Sequence, residues 1–151
     1  MKTKKNYFDC IVIGAGHAGI EAALAASRMR CKIALVTFRR ETIGEMSCNP
    51  AVGGVGKGQL VKEIDALGGE MAKAADATAV QFRQLNASKG QAVRSSRCQS
   101  DRKRYRLYMQ RVVQRQRHLT VFADEATDIV VRNNRVGGVK TASGRCLHDL
   151  R

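Results

Sequence analysis

Hydrophobic and polar positions in the first forty residues follow the strand, helix, strand order of a βαβ unit. The run from Asp9 to Ile13 is short, continuously apolar and ends at a glycine, which is typical of a buried parallel strand. Residues 18–29 are rich in alanine and leucine at helical spacing, and Lys32–Val36 is a second short apolar run. We therefore predict a parallel βαβ unit from about Phe8 to Thr37.

The periodicity disappears from Arg39 to Gly58, a segment that contains Pro50, the only proline of the chain. Loops of this length inside compact domains are usually functional, so residues 39–58 are predicted to form a cofactor or substrate loop. Helical spacing returns over Gln59–Leu67, and a further turn or two of helix is predicted over Glu70–Ala75.

Between residues 80 and 116 the sequence predicts a strand, a polar loop and a helix. Val80–Leu85 alternates in the manner of a strand, and the polar segment Asn86–Ser100 is predicted to be a loop. Residues Asp101–Gln116 have a helical period with one basic face. The apolar face of that helix consists of Tyr105, Tyr108, Met109, Val112 and Val113.

Short strands are predicted for the C-terminal part, between about residues 120 and 147. They are Thr120–Ala123, Asp128–Arg132, Val136–Thr141 and a further strand from Arg145, with a turn at Asn133-Asn134. A length of 151 residues suits one domain. We predict an α/β fold: a Rossmann-like βαβ unit with a parallel sheet, plus short C-terminal strands.

The composition is that of an ordinary folded chain, with one strong bias toward positive charge. A hydrophobic fraction of 44% and a charged fraction of 26% exclude the disordered and fibrous classes. The net charge of +14 makes nucleic acid the first partner to consider. Residues 89–117 contain ten Lys or Arg against one acid. We predict RNA contacts for Lys89, Arg94 and Arg97 in the loop, and a solvated face for the arginines of the helix.

Neither a membrane segment nor a disulfide framework is predicted. No stretch approaches the ~18 apolar residues of a membrane span, and the start with Lys2, Lys4 and Lys5 does not lead into a cleavable apolar region, so we predict a cytoplasmic protein. The odd number of five cysteines, without a C-x-x-C pair, also argues against a zinc site. Cys10 and Cys31 lie in or beside predicted strands and are expected in the core.

The glycine loop, Gly14-Ala15-Gly16-His17-Ala18-Gly19, stands between the first predicted strand and the helix. In that context Gly14 permits the tight turn, Gly16 leaves room for a pyrophosphate, and Gly19 lets helix and strand pack closely. The alternative is a merely tight strand-to-helix turn. His17 counts here for its backbone position rather than its imidazole. We predict a dinucleotide site.

The acid expected about 20 residues after the glycine loop, where it would bind a ribose hydroxyl, is missing. Val36-Thr37-Phe38 stands at that position. Glu41 is the nearest later acid, whereas Arg39 and Arg40 would suit a 2′-phosphate, so spacing alone leaves NAD, NADP and FAD open. A second glycine cluster, Gly53–Gly58, lacks the Walker pattern and is not a nucleoside triphosphate loop.

Four longer motifs are more specific than the glycine loop alone. Together with that loop they resemble the MnmG family, also called GidA. They are Met46–Gly58 (MSCNPAVGGVGKG), Leu60–Gly69, Gln81-Phe82-Arg83 and Leu85–Gly90. The family has glycine where this chain has Arg30, and proline where it has Gln91. The likeness fades after about Val139, and family members continue into further domains, so the chain looks like the N-terminal part of an FAD-binding domain.

The resemblance implies a flavoprotein that modifies the wobble uridine (U34) of tRNA at C5, adding a carboxymethylaminomethyl or aminomethyl group. Implied partners are tRNA, an MnmE-type GTPase and, for the whole protein, a second copy; NADH would reduce the FAD. The implied FAD contacts are Gly14, Ala15, Gly16, His17, Ala18, Gly19, Thr37 and Ala126. Implied substrate or RNA contacts are Asn49, Lys57, Lys89, Arg94 and Arg97, and no metal is implied.

Cys48 lies in the long loop and is the leading catalytic candidate, as a thiolate that reaches a flavin or a uracil ring. The alternative is a small buried hydrophobe. We expect the 151-residue chain to lack turnover by itself. Two other functions stay open: a different FAD- or NADP-dependent oxidoreductase, and a non-enzymatic basic RNA-binding fragment.

Overall fold

The computed structural model describes residues 7–149, so the basic start with Lys2, Lys4 and Lys5 lies outside the described residues. Two compact units divide the chain: the first contains the described residues up to Ile43 and from Val112 onward, and the second is Gly44–Arg111. The elements in chain order are β1 (Tyr7–Phe8), β2 (Cys10–Ile13), α1 (His17–Arg28), β3 (Ile33–Thr37), β4 (Ala51–Gly53), α2 (Lys57–Ala66), α3 (Met71–Thr78), β5 (Ala79–Leu85), β6 (Ser95–Ser100), α4 (Arg102–Arg115), β7 (Leu119–Ala123), β8 (Ala126–Arg132), β9 (Arg135–Thr141) and β10 (Cys146–Asp149).

A parallel sheet with strand order β2-β3-β7 forms the centre of the first unit. Helix α1 crosses from β2 to β3, which confirms the predicted βαβ unit. All five side chains of β3 are buried because this central strand has helix α1 packed against it and the second sheet of this unit against Ala34 and Val36. The fold is therefore α/β, with its parallel core at the predicted place.

A second sheet of the first unit has the order β1-β10-β9-β8 and contains three of the four predicted C-terminal strands, whereas the strand predicted at Thr120–Ala123 is β7 of the parallel sheet. Strands β8 and β9 form a hairpin whose turn residues, Asn133 and Asn134, have φ of 50° and 59°, as a type I′ turn requires. The buried residues Phe8 and Leu147 of this sheet pack with Ala34 and Val36 of β3.

Strand β2 is more exposed than the sequence predicts. It pairs only with β3 in the described sheet, so its other edge has no strand beside it. Cys10 is exposed, which makes the expectation of a core position for this residue wrong; Cys31 is half-buried. Ile13 is 52% exposed for the same reason.

The second unit contains an antiparallel sheet, β4-β6-β5, in which β5 confirms the strand predicted at Val80–Leu85, whereas β4 and β6 lie in segments predicted to be loops. The segment 39–58 includes β4 and a 3-10 turn at Arg40–Thr42, and the segment 86–100 ends in β6, the central strand of this sheet. The loop prediction was wrong for β6 because its polar residues are satisfied by tertiary contacts. Ser95 and Ser100, at its two ends, are both buried.

Helix α1 ends in a Schellman motif built around Arg30. The amide of Arg30 donates to the carbonyl oxygen of Ser27 at 3.0 Å, and the amide of Cys31 donates to that of Ala26 at 3.2 Å. Arg30 has a φ of 67°, in the left-handed region where glycine is favoured. Arg30 therefore carries a side chain in a backbone conformation that favours glycine, which costs conformational energy.

The Arg30→Gly variant is expected to be more stable than the parent chain by about 1 kcal/mol, since the left-handed conformation costs a side-chain-bearing residue ~1–2 kcal/mol, part of which the larger entropy of unfolded glycine offsets. Urea unfolding at unchanged m-value measures the difference. Arg28→Gly is the matched control, because it removes the same charge from the last turn of α1 and should cost about 1 kcal/mol. Lower stability of Arg30→Gly than of the parent would contradict the prediction.

Candidate functional site

A cavity of about 200 Å³ opens in the first unit where the parallel strands end. Its lining residues are Ile13, Gly14, Ala15, Gly16, Val36, Thr37, Phe38, Thr42, Asp124 and Ala126. Except for Ala126, which begins β8, they end or follow β2, β3 and β7, and ligands of open parallel sheets bind beyond the carboxyl ends of the strands. The location and the lining therefore both indicate a ligand site.

The glycine loop forms one wall of this cavity, with each glycine in a different role. The amide of Gly14 donates to the carbonyl oxygen of Val36 at 2.8 Å, and its φ of 97° makes the tight turn. A Cβ on Gly19 would lie 1.9 Å from the carbonyl oxygen of Gly14, so helix and turn touch there. A Cβ on Gly16 would meet nothing within 4 Å. The fold itself thus requires Gly19, whereas at Gly16 the space is open.

The N-terminus of α1 has the features of an anion site. Gly16 is the N-cap residue and provides no side-chain hydrogen bond to the helix. The first amides of a helix lack intrahelical acceptors and carry the positive end of the helix dipole. With an open Gly16 beside them, these amides fit a pyrophosphate.

The predicted cofactor contacts come together around this cavity, although not all of them line it. Gly14, Ala15, Gly16, Thr37 and Ala126 line it directly. The remaining three, which are His17, Ala18 and Gly19, form the first turn of α1. His17 is half-buried, and burial lowers the pKa of its imidazole, with a smaller opposing effect from Glu21.

Sequence reasoning missed Asp124, which stands directly after β7 at the same end of the sheet. Its amide donates to the carbonyl oxygen of Thr37 at 2.8 Å. Its carboxylate accepts hydrogen bonds from the hydroxyl and amide of Ser143, from Thr141 and from the amide of Glu125. The sequence pattern could have indicated Asp124, because it directly follows the predicted strand Thr120–Ala123 and an acid after a parallel strand is a typical site position.

The hydrogen bonds from Ser143 and Thr141 lower the pKa of Asp124 from 3.8 to about 2. The amides of Glu125 and Ser143 and the hydroxyl of Ser143 therefore hold this carboxylate in place at the cavity wall. Thr37 and Thr42 bring hydroxyl groups to the cavity, and Phe38 is an aromatic side chain that is 72% exposed. Arg40 donates to the carbonyl oxygen of Val121 at 2.9 Å.

We expect the stabilisation contributed by Asp124 to decrease as the pH falls. Its pKa is lower in the folded chain than in the unfolded chain, so its contribution is complete above about pH 4 and is lost as the pH falls toward 2. The difference in unfolding free energy between the parent and Asp124→Asn should shrink over that range. Asp128→Asn removes a carboxylate from an exposed 3.5 Å pair with Lys140, and should change stability by less than ~1 kcal/mol throughout. A difference for Asp124→Asn that stays constant from pH 7 to pH 2 would refute this role.

The predicted substrate residues all belong to the second unit, and the structure joins two of them. The side-chain oxygen of Asn49 accepts a hydrogen bond from the guanidinium of Arg97 at 3.1 Å. Cys48, next to Asn49, is exposed, so its thiol is accessible, as a reactive cysteine requires. Lys57 is exposed at the start of α2.

Lys89 and Arg94 lie in the loop between β5 and β6. Arg94 uses its Nε to donate to the carbonyl oxygen of Ala87 at 3.1 Å, and Asn86 donates to that of Val93 at 3.1 Å. These bonds close the loop. Part of the donor capacity of Arg94 therefore holds the loop, while the side chain of Lys89 is exposed.

The arginines of α4 were predicted to form a solvated face, and two of them have a defined partner. Glu45 accepts from Arg102 at 2.9 Å and lies 3.5 Å from Arg106. Lys103, Arg104 and Arg111 are exposed. Among residues 7–149, none of the helices combines the length and apolar composition needed to cross a membrane.

Comparison with known proteins gives consistent matches. The family described as glucose inhibited division protein A matches residues 9–150. The tRNA uridine 5-carboxymethylaminomethyl modification enzyme MnmG of Aquifex aeolicus (strain VF5) is 58% identical over 137 residues, which make up 91% of this chain and 22% of that protein. The form I crystal structure of Aquifex aeolicus GidA matches with a TM-score of 0.91 at 55% identity, over 95% of this chain and 24% of that chain.

A more distant match concerns the fold alone. PqsL, a probable FAD-dependent monooxygenase from Pseudomonas aeruginosa, has a TM-score of 0.67 at 15% identity, over 95% of this chain and 41% of that chain. The chain described here spans about a quarter or less of the length of its MnmG and GidA relatives.

Proposed function

The chain belongs to the glucose-inhibited division protein A family, also called MnmG, and we propose that it is the flavin-binding part of a tRNA-modifying enzyme. The observation that carries the proposal is the cavity at the carboxyl ends of the parallel strands, with the glycine loop as one wall. The name of the Aquifex relative, a tRNA uridine modification enzyme, supports tRNA as the substrate class. FAD is the cofactor we propose.

Different residues of the cavity would bind the pyrophosphate, the ribose and the adenosine of FAD. The open space at Gly16 and the amides that begin α1 would hold the pyrophosphate. Thr37 and Thr42 would offer hydroxyl groups to the ribose in place of the missing acid, and Ala126 would border the adenosine. The bound flavin would supply the transfer of electrons that amino-acid side chains cannot perform. The residues of this chain bind and orient it.

In the full proposal, the enzyme modifies the wobble uridine at C5 together with an MnmE-type GTPase, as a dimer and in the cytoplasm. NADH would reduce the flavin, and Cys48 would act on the substrate or the flavin through its exposed thiol. Asn49, Lys57, Lys89, Arg94 and Arg97 would contact the RNA. Since the chain spans about a fifth of its MnmG relative, we expect no turnover from the 151 residues alone.

An absorbance scan of the purified chain tests the cofactor. Flavin bands in the visible range, with FAD released on denaturation, would support the proposal. Tight binding of NADPH by a colourless protein would replace it with the NADP-dependent oxidoreductase. Salt-sensitive tRNA binding by a chain that takes up neither cofactor would favour a basic RNA-binding fragment.

A further inference from the structure

Two arginines of the second unit face each other across neighbouring strands. The register places Arg83 of β5 opposite Arg97 of β6, and Gly53 of β4 on the other side of Arg97. Directly opposed residues share one face of a sheet, whereas Phe82 and Cys98, the next pair, share the other face. The thiol of Cys98 donates to the carbonyl oxygen of Ala75 at 3.6 Å, so α3 packs over Cys98 on that other face, where Phe82 is 61% exposed.

Like charges at this spacing repel each other. Cβ atoms of directly opposed residues lie roughly 4.5–5.5 Å apart, and an opposed pair of like charges is destabilising unless something neutralises it. No salt bridge of the described residues includes Arg83 or Arg97. Their positive charges therefore add on one face of the sheet without a carboxylate between them.

Three of the acids of the second unit are engaged elsewhere. Glu45 pairs with two arginines of α4, and Glu70 pairs with Lys73 and accepts from the hydroxyl of Tyr108. Asp101 accepts from the backbone amide of Arg104, near the start of α4. The unit as a whole has twelve basic and six acidic residues, which adds an attractive field for anions.

The surroundings of Arg97 hold its guanidinium in place and leave it accessible. Arg97 is half-buried, and one of its terminal nitrogens donates to the side-chain oxygen of Asn49 at 3.1 Å, which leaves further N–H donors unused. A Cβ on Gly53 would lie 2.3 Å from the carbonyl oxygen of Ser96, so the neighbouring position on β4 has no room for a side chain. Arg83 is exposed.

We propose that Arg83 and Arg97 together bind one phosphodiester group of the RNA substrate. Two adjacent guanidinium groups present planar sets of donors that match the oxygens of a phosphate. A bound phosphate also removes the repulsion between the two side chains. The inference rests on the proposed tRNA function and adds an RNA contact that depends on the sheet register of the second unit.

Binding of a labelled tRNA anticodon stem-loop to the 151-residue chain, titrated at several salt concentrations, tests the pair. Arg83→Gln and Arg97→Gln should each weaken binding about tenfold at low salt, since each removes charge-assisted hydrogen bonds. The slope of log affinity against log salt should fall by about one. The double variant should lose little more than either single variant, because both side chains contact the same phosphate.

The chain offers a matched control pair. Arg132 and Arg135 are also opposed across two strands, but both are exposed and lie at the tip of the β8–β9 hairpin in the first unit. Their change to glutamine alters the net charge equally and should weaken RNA binding by less than about twofold. Equal losses from both pairs would overturn the proposal in favour of a general field effect.

A thermal-shift measurement shows whether the variants still fold. It also distinguishes a site for an RNA phosphate from a site for free phosphate. Inorganic phosphate should raise the unfolding midpoint of the parent more than chloride at equal ionic strength, but not that of the Arg83→Gln, Arg97→Gln double variant. Such a shift without any loss of RNA affinity in the variants would overturn the proposal, because the pair would then bind free phosphate only. Absorbance of bound flavin is measured on the parent chain and on the same variants. Flavin retained in the variants with unchanged RNA binding refutes this inference alone, whereas flavin absent from the parent chain refutes the proposed cofactor function.

Discussion

Replacing Gly19 with alanine is expected to destabilise the chain by about 3 kcal/mol or more. The added Cβ would lie 1.9 Å from the carbonyl oxygen of Gly14, and the displaced atom is backbone rather than a flexible side chain. Overpacking of a well-packed contact costs ~1–3 kcal/mol, and this contact also involves a tight turn that cannot move freely. For a domain with a stability of roughly 5–15 kcal/mol, such a loss is large.

Urea unfolding, followed by circular dichroism, gives the size of the loss. Gly16→Ala is the matched control in the same loop, since its Cβ would have nothing within 4 Å and its φ of −75° suits alanine. This control should cost about 0.5–1 kcal/mol, the usual effect of alanine at an N-cap. A Gly19→Ala variant whose stability lies within 1 kcal/mol of the Gly16→Ala variant would show that helix α1 and the turn do not touch as described.

Gly16→Asp is expected to abolish flavin binding while leaving the fold as stable as the parent or slightly more stable. Aspartate is a good N-cap residue, and its charge interacts favourably with the positive end of the α1 dipole. The same carboxylate would occupy the open space at Gly16 and repel a pyrophosphate there. We expect the dissociation constant for FAD to rise at least about 100-fold, which corresponds to ~2.7 kcal/mol.

Fluorescence titration with FAD, together with thermal unfolding of the protein without cofactor, measures both effects. Gly16→Asn separates charge from size, because it is nearly isosteric, caps the helix equally well and has no charge. An intermediate loss for asparagine would indicate that steric exclusion and repulsion both act. Unchanged FAD affinity in Gly16→Asp would place the pyrophosphate elsewhere and remove the main support for the cofactor site.

The two glycine variants separate requirements that the motif by itself does not distinguish. The loss expected in Gly19→Ala is a loss of folding, so the proposed flavin would disappear only because the site is no longer formed. The loss expected in Gly16→Asp is a loss of the ligand with the fold intact. A chain that retained its flavin in both variants would contradict the proposed cofactor site and the packing around it.

Local sequence signals were sufficient for the parallel core and for part of the cavity. The apolar runs around α1 and the glycine loop predict their own conformation, because strand, turn and helix preferences are satisfied within about 30 residues. Thr37 was identified as the position of the missing acid, and it lines the cavity. Asp124 follows β7, more than 80 residues after Thr37, so only the pairing of β3 with β7 could bring the two residues together.

The amino-acid sequence by itself determined the βαβ unit, the glycine loop and the family, since these depend on neighbouring residues and on motifs. The tertiary structure decided that β2 lies at the edge of its sheet, that β4 and β6 form strands, and that Arg83 stands opposite Arg97. Strand β6 has one apolar residue, Cys98, and a strand without a continuous hydrophobic face specifies neither its existence nor its register. The pairing of Arg83 with Arg97 therefore follows from long-range hydrogen bonds between backbones, which leave no local pattern in the sequence.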